Sequence, residues 1–237
     1  MNEPIMSEPC DLNAVDARRL IGRKRLSPVE LLESCIARIE MVNPTINAVV
    51  ATCYERAREE ARAATDALLR GDDLPPLHGL PIGVKDLNNT AGLRTTYGSP
   101  LYADFVPDKD ERMVAALRKA GAIVLGKTNT PEFGAGGNTN NAVYGPTVNP
   151  FDTARTAGGS SGGSAAALAT GMLPLCTGSD TGGSLRRPAT YNGVVALRPT
   201  AGLVPSDRRG IGLSTFSTLG PMARTVADAA LLLSGMA

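Results

Sequence analysis

Serine side chains flanked by glycines occur at two places in the second half of the chain. Ser160 and Ser161 lie in the segment GGSSGGS, and Ser184 closes the segment GSDTGGS, 24 residues after Ser160. Glycines allow a turn to approach a ligand closely and to adopt backbone conformations that other residues rarely reach. Successive N–H groups in such a turn also form a concavity that binds negative charge. The two segments therefore predict a nucleophilic serine, a second serine that relays its proton, and an oxyanion hole.

A serine hydroxyl is a weak nucleophile until a base removes its proton, and Lys85 is the stronger of two candidates for that base. It follows the apolar segment LPIGV, which we predict to be a buried strand. Burial disfavours the charged form of a lysine and can lower its pKa far below the usual value. A neutral Lys85 could then accept a proton from a serine hydroxyl.

Two other interpretations of the titratable residues stay open at this point. His78 is the only histidine of the chain, but a serine–histidine mechanism also needs a positioned carboxylate partner, and none is evident. A structural role for His78 is therefore favoured. Lys85 could instead form a structural ion pair with Asp86 or Asp180, because such pairs also perturb pKa values.

The segments GGSSGGS and GSDTGGSLRRPA resemble the signature of the amidase signature family of serine hydrolases. The resemblance continues through GKTN at 126–129, YGPT at 144–147 and LRPT at 197–200, and it covers the chain from about residue 11 onwards. In this family the nucleophile is the serine of the second glycine-rich turn, the relay is a serine of the first, and the base is an upstream lysine.

The resemblance implies that Ser184 is the nucleophile, that Ser160 relays its proton from a cis peptide after Gly159, and that Lys85 is the base. Ser161 is expected to support this triad. The candidate oxyanion hole consists of the backbone N–H groups of Thr181, Gly182, Gly183 and Ser184. Two further residues, Asp180 and Arg186, are expected to hold the turn through polar contacts. Arg187 could face either substrate or solvent, and no metal or organic cofactor is implied.

Residues 121–128, GAIVLGKT, match the P-loop pattern GxxxxGK[ST] letter for letter. A P-loop needs a flexible loop between its glycines, after a strand and before a helix. Here the intervening residues, AIVL, read as a strand themselves, and the following Asn129-Thr130-Pro131 indicates a turn. The context therefore argues against nucleotide binding.

The composition excludes several classes of protein. A formal net charge of +1 with 20% charged residues does not indicate a nucleic-acid partner. The segment MNEPIMSEPCD has no apolar core typical of a signal peptide, and no apolar run of about 18 residues predicts a membrane span. The four cysteines show no CxxC or metal-ligand spacing, which favours free thiols in a reducing compartment. We therefore expect a soluble cytoplasmic protein.

Short apolar segments alternate with helical patterns, which is typical of an α/β protein with a buried sheet. We predict a mixed, partly parallel central sheet surrounded by helices, the amidase signature fold, in a single domain over 1–237. Within it, residues from about 11–70 would form a helical layer and residues from about 75–237 the catalytic core. Strands are predicted at 80–84, 122–125, near 173 and at 194–197, and helices at 11–22, 27–43, 52–70, 111–120, 164–169 and from 225 onwards.

These observations predict an amidase, a hydrolase of carbon–nitrogen bonds other than peptide bonds, that cleaves a linear carboxylic amide through an acyl-enzyme on Ser184. One alternative is the glutaminase component of a tRNA-dependent amidotransferase, which would bind partner subunits. Another is an inactive fragment, because members of the family are considerably longer and this chain resembles their N-terminal half. A sheet cut short would expose edges that favour association, for example as a homodimer.

Overall fold

The computed structural model describes residues 8–207 and 214–237. Seven α-helices and eight strands follow one another along this part of the chain, with short 3-10 turns at Pro9–Asp11, Pro100–Tyr102 and Glu132–Gly134. The helices are α1 (Ala14–Gly22), α2 (Pro28–Ile46), α3 (Tyr54–Arg70), α4 (Arg112–Lys119), α5 (Gly162–Ala169), α6 (Arg186–Tyr191) and α7 (Val226–Met236). The strands are β1 (Val49–Thr52), β2 (Pro81–Lys85), β3 (Ile123–Thr128), β4 (Val148–Asn149), β5 (Asp152–Thr156), β6 (Leu175–Asp180), β7 (Val195–Ala196) and β8 (Thr218–Ala223).

Six strands form the central sheet in the order β1-β3-β2-β6-β8-β7, and β4 pairs with β5 separately. Strand β2 runs parallel to both β3 and β6, whereas β1, β7 and β8 join the sheet antiparallel. Every residue of β2, β3 and β8 is buried, as expected for strands covered on both faces. The predicted mixed, partly parallel sheet surrounded by helices is thus confirmed. The division into a helical layer and a catalytic core within one domain stays a prediction.

Helix α2 begins where the sequence predicts. The Ser27 hydroxyl accepts a hydrogen bond from the N–H of Glu30, and the Glu30 carboxylate accepts one from the N–H of Ser27. The predicted end at Asn43-Pro44 is wrong, because the helix continues through Pro44 to Ile46. Pro44 has no N–H group and so removes one hydrogen bond of the helix. The last turn still closes, because the Asn43 carbonyl accepts the N–H of Asn47, which lies in the left-handed region at φ 55°.

Helix α3 ends at Arg70, and Gly71 follows at φ 83°, a conformation that favours glycine. The predicted start at residue 52 is displaced because Val49–Thr52 is strand β1, which pairs with β3. This edge strand is only partly buried. Its four residues are too short for a periodicity to separate them from the helix that follows.

Helix α5 is built almost entirely of small, buried residues. Gly163 allows this helix to pack directly on the backbone at the end of β3, since a Cβ atom there would lie closer than 3.0 Å to the amide nitrogen of Asn129. Gly83 has the corresponding role within β2, where a Cβ atom would meet Leu173, Thr128 and Cys176. Close packing at these glycines brings the residues just before α5 next to the end of β2.

The four cysteines are free thiols, and three of them, Cys10, Cys35 and Cys176, are buried. Burial raises the pKa of Cys35 and of Cys176, so these side chains stay protonated at neutral pH. Among the helices that the structure describes, none is long and apolar enough to cross a membrane.

Candidate active site

Lys85 is the last residue of β2, and its side chain is completely buried. Its Nζ atom lies within hydrogen-bond distance of three serine hydroxyls, at 2.7 Å from Ser160, 2.8 Å from Ser161 and 3.0 Å from Ser179. The parallel pairing of β2 with β6 brings Lys85 beside Ser179 of β6. The backbone N–H of Lys85 also donates to the hydroxyl of Thr177 on β6. The sheet and the start of α5 thus surround one amine with hydroxyl groups.

Burial lowers the pKa of Lys85 to about 7, although the negative charge of Asp180 acts in the opposite direction. At this pKa a large fraction of Lys85 is neutral at physiological pH. A neutral amine has a lone pair, so it can accept the proton of a neighbouring hydroxyl. The structural ion-pair alternative is not what the structure shows, because Lys85 forms no salt bridge with Asp86 or Asp180, all three of which are described.

Ser160 and Ser161 lie in the turn that leads into α5, and both are buried. The peptide bond between Gly159 and Ser160 is cis, as the resemblance implied. The N–H of Ser161 donates to the carbonyl of Ser184 at 3.3 Å. This contact joins the first serine turn to the second.

Ser184 lies in the turn after β6 and is half-buried. It lines one pocket together with Ser160, Ser179 and Thr181. Within residues 8–207 and 214–237, the Ser184 hydroxyl makes no hydrogen bond to another side chain. The structure therefore places the predicted nucleophile and relay in one cavity, with the hydroxyl of Ser184 not engaged elsewhere.

Asp180 organises the Ser184 turn. Its buried carboxylate accepts the N–H groups of Gly183 and Leu185 at 2.8 and 3.2 Å, and it pairs with Arg186 at 3.0 Å and Arg198 at 3.1 Å. Burial by itself would raise the pKa of Asp180, but the hydrogen bonds from Arg186 and the two N–H groups lower it to about 2. The carboxylate is therefore charged at neutral pH.

The predicted oxyanion hole stays a prediction, but one of its four N–H groups is already bonded in the structure. The N–H of Gly183 donates to Asp180, so it is engaged in holding the turn. Asp180 does not engage the N–H groups of Thr181, Gly182 or Ser184. These three donors are the ones that we retain for an oxyanion.

Ser179 and Arg198 belong to the site although the sequence does not identify them individually. The proximity of Ser179 to Lys85 follows from the pairing of β2 with β6. Arg198 reaches Asp180 from 18 residues further along the chain and also bonds its carbonyl. In the sequence, Ser179 belongs to the segment GSDTGGS and Arg198 to LRPT, but neither segment indicates what these two side chains contact.

His78 is not brought to the serines. Its Nε2 atom lies 2.9 Å from the carbonyl oxygen of Ala64, under α3, and it lines a different surface depression. Burial lowers the pKa of His78, which favours the neutral ring. The favoured structural role for His78 agrees with this position.

Lys127, the lysine of the P-loop-like segment, is buried within β3. It bonds the Asn88 carbonyl and the hydroxyls of Thr90 and Thr95, and it lies 4.0 Å from the carboxylate of Asp86. The intervening residues form a strand, as expected, and the lysine is used inside the protein. Burial raises the pKa of Asp86, and Lys127 and Thr96 oppose that rise.

The other residues that line the pocket around Ser160 and Ser184 are both apolar and polar. Apolar side chains come from Leu87, Phe133 and Leu219, and polar ones from Asn88, Ser206 and Ser217. In the described part of the chain, no group of three or more His, Cys, Asp or Glu side chains is placed to hold a metal ion.

Comparison with known proteins shows the family to which this chain is similar. The family described as Amidase matches residues 30–237. A glutamyl-tRNA(Gln) amidotransferase subunit from Carboxydothermus hydrogenoformans is 43% identical over 226 residues, which cover 95% of this chain and 47% of that protein. The corresponding subunit from Chloroflexus aggregans is 44% identical over 234 residues, covering 98% and 48%. The chain thus spans about half the length of the curated relatives that it matches.

Solved structures agree in fold. A bacterial aryl acylamidase of the amidase signature enzymes superposes with a TM-score of 0.89 at 35% identity, covering 95% of this chain and 47% of that chain. Fatty acid amide hydrolase superposes with a TM-score of 0.90 at 28% identity, covering 98% and 42%. The family match, these structures and the shared signature together show that the chain belongs to the amidase signature family.

Proposed function

We propose that this chain carries the nucleophile, relay and base of an amidase that hydrolyses a linear carboxylic amide to its acid and ammonia or an amine. The observation that carries the proposal is the 2.7 Å contact between Lys85 and Ser160, because Ser160 lines the same pocket as Ser184. A buried amine with a pKa of about 7 is suited to act as a base near neutral pH.

In the first half of the reaction, the Ser184 Oγ atom attacks the carbonyl carbon of the amide. Its proton passes to Ser160 while the proton of Ser160 passes to neutral Lys85. The C–N bond then breaks, and Ser160 returns a proton to the departing nitrogen as Lys85 returns one to Ser160. An acyl ester on Ser184 and a free amine, or ammonia, result.

In the second half, water replaces the amine. The same two groups remove a proton from the attacking water and return it to the Ser184 oxygen, which releases the acid. In both tetrahedral intermediates the negative oxygen would be stabilised by the N–H groups of Thr181, Gly182 and Ser184. The loss of one such donor typically costs about 2.7–4 kcal/mol in the transition state.

The second candidate function is that of the glutaminase component of a tRNA-dependent amidotransferase. Its support is specific, since relatives with 42–44% identity are subunits of glutamyl-tRNA(Gln) amidotransferases. The same serine and lysine chemistry would then release ammonia from glutamine for use by a partner protein. Glutamine hydrolysis, and copurification with partner subunits, would favour this candidate over a free-standing amidase.

The test is covalent labelling of folded protein with a fluorophosphonate, followed by intact-mass analysis and peptide mapping. We expect a single adduct on Ser184 in the wild type. The Lys85→Ala variant should react about 10²–10⁴-fold more slowly, as is usual when a general base is lost. Lys119→Ala is the matched control, because Lys119 is an exposed lysine at the end of α4.

Two results would contradict the proposal. One is a folded wild-type protein that stays unlabelled, which would mean that no activated nucleophile is present. The other is equal labelling of wild type and Lys85→Ala, which would remove Lys85 from the reaction. Hydrolysis of glutamine beside a panel of simple carboxamides then separates the two candidate functions.

A further inference from the structure

Arg187 lies beside both serine turns. It follows Ser184 by three residues in α6, and its guanidinium donates to the carbonyl of Gly182 at a long distance of 3.4 Å. Its other side faces Gly137, where a Cβ atom would lie closer than 3.0 Å to Nη1. Residue 137 also abuts Gly159, next to Ser160. Arg187 is half-buried as a residue, and its guanidinium lies at an exposed corner where the two turns meet.

This guanidinium has no carboxylate partner within the described residues 8–207 and 214–237. The nearby Asp180 is already used by Arg186, by Arg198 and by two backbone N–H groups. Arg187 makes one long bond to a neutral carbonyl, although a guanidinium offers five N–H donors. Most of its hydrogen-bonding capacity is therefore open to an added group.

The surroundings of the Ser184 turn also carry excess positive charge. Among the described residues, Arg186 and Arg198 share the carboxylate of Asp180, and Arg187 adds a third guanidinium with no carboxylate of its own. Lys85, the next cation, is partly neutral because burial lowers its pKa. An anionic group on a substrate is attracted to such a region before any specific contact forms.

We propose that Arg187 is a specificity-determining residue that binds a carboxylate carried by the amide substrate. The inference rests on the proposed function, and it names the substrate class as amides whose acyl group ends in a carboxylate. A planar guanidinium matches a carboxylate with two parallel hydrogen bonds, which a lysine in the same place does not reproduce. Because Arg187 belongs to the short helix after Ser184, the carboxylate would be separated from the scissile carbonyl by only a few atoms.

This assignment also bears on the second candidate function, since glutamine carries a carboxylate together with a positive ammonium group. Glutaramate is glutamine without that ammonium group, so the pair distinguishes recognition of the carboxylate from recognition of the whole amino acid. Arg187 alone favours glutaramate, because nothing in its contacts complements a cation.

The experiment compares kcat/KM for succinamate with that for butyramide, which has the same chain length and a methyl group in place of the carboxylate. The wild type should prefer succinamate, and Arg187→Gln should reduce the preference about 10- to 100-fold, the usual effect of losing a hydrogen bond to a charged group. Arg187→Lys should recover only part of it. Arg155→Gln is the control, because Arg155 is an exposed arginine paired with Asp152 on β5.

Each outcome has a definite meaning. A succinamate preference that survives in Arg187→Gln, or a wild type that prefers butyramide, overturns the role of Arg187 while leaving the proposed hydrolysis intact. A loss mainly in KM, with the control unchanged, supports it. A wild type that fails to react with fluorophosphonate at Ser184 overturns the proposed function itself, and this inference with it.

Discussion

The Nζ atom of Lys85 lies 2.7 Å from the Oγ atom of Ser160, and it contacts two further serine hydroxyls, those of Ser161 and Ser179. An ammonium group has three protons and can donate to all three hydroxyls at once. A neutral amine has two protons and a lone pair, so one of the hydroxyls must then donate to it. Hydroxyl groups can do either, and the same packing therefore holds Lys85 in both protonation states.

We expect the proposed amidase activity to rise with pH through about 7 and to level off above it. Only neutral Lys85 can accept the proton of Ser160, and burial lowers its pKa to about 7. The value of kcat/KM should therefore fall about tenfold for each pH unit below 7. A pH profile of kcat/KM, or of the fluorophosphonate reaction rate, measures this directly.

A control with Lys119→Met should leave the profile unchanged, because that lysine is exposed on α4. A profile that is flat between pH 5.5 and 8.5, chosen as roughly 1.5 units on either side of the expected midpoint, would contradict the assignment of Lys85 as the base. A profile that falls with rising pH would contradict it equally.

The free energy of unfolding should also depend on the charge of Lys85. The ordinary lysine pKa of 10.5 applies to the unfolded chain, and the folded value is about 7. Between these two pH values the unfolded state binds more protons, so stability rises with pH across this window. Below about pH 7 Lys85 is protonated in both the folded and the unfolded state, and its contribution to the free energy of unfolding is at its most unfavourable. Urea unfolding at several pH values should show this rise in the wild type.

Other groups titrate in the same range, so the decisive quantity is the difference between the wild type and Lys85→Met. Tyr54, for example, has its pKa raised by burial to about 12. Subtracting the two curves cancels such contributions. A difference that does not change between pH 7 and 10 would show that Lys85 is charged inside the folded protein.

How far the sequence predicts this site depends on whether a residue acts locally or through the sheet. Ser160, Ser161 and Ser184 lie in short glycine-rich segments whose local turn already indicates a role. The structure places Ser160 and Ser161 against Lys85, and Ser184 in the same pocket as Ser160. Ser179 contacts the same amine only because β2 and β6 pair in parallel. No spacing along the chain encodes that register.

The same distinction explains the differences at the turn and in the fold. The N–H of Gly183 bonds Asp180 because of the way the turn closes after β6. Residue types alone do not determine that closure. Strand β1 cannot be separated from α3 by pattern, because four partly buried residues show no clear period. Pro44 indicates a helix end in the sequence, although its ring is tolerated in the last turn of α2.

Replacing Asp180 by asparagine should loosen the Ser184 turn and destabilise the fold by about 1.5–3 kcal/mol, the usual contribution of hydrogen bonds to a charged group. Arg186 is largely exposed and can be solvated after the change, which keeps the cost below that of a fully buried pair. The variant should also label more slowly at Ser184. Thermal and urea unfolding together with the labelling rate measure both effects.

The loss of stability at low pH gives an independent check on the role of Asp180. Because the folded pKa of Asp180 is about 2 and its ordinary value is 3.8, its contribution is complete above about pH 3.8. It is lost as the pH falls to about 2. Asp180→Asn should lack this part of the acid dependence, and an unchanged loss of stability at low pH would show that the carboxylate is not held as described.

Gly163→Ala should reveal how strictly the packing of α5 places Ser160 and Ser161. In an exposed helix this change would stabilise the protein by about 0.5–1 kcal/mol. At Gly163 the new Cβ atom would lie closer than 3.0 Å to the backbone nitrogen and oxygen of Asn129, and neither can move without shifting β3. We therefore expect the opposite sign, a loss of about 1–3 kcal/mol, as is usual for an overpacked core.

Gly182→Ala is the matched stability control, since a Cβ atom there meets nothing within 4 Å and its φ is not positive. Its free energy of unfolding should change by less than about 0.5 kcal/mol. The displacement in Gly163→Ala should also move the two serines away from Lys85, so that labelling of Ser184 slows even where the variant is folded. A Gly163→Ala variant as stable and as reactive as the wild type would show that α5 can shift without cost, and that its contact with β3 does not position the relay.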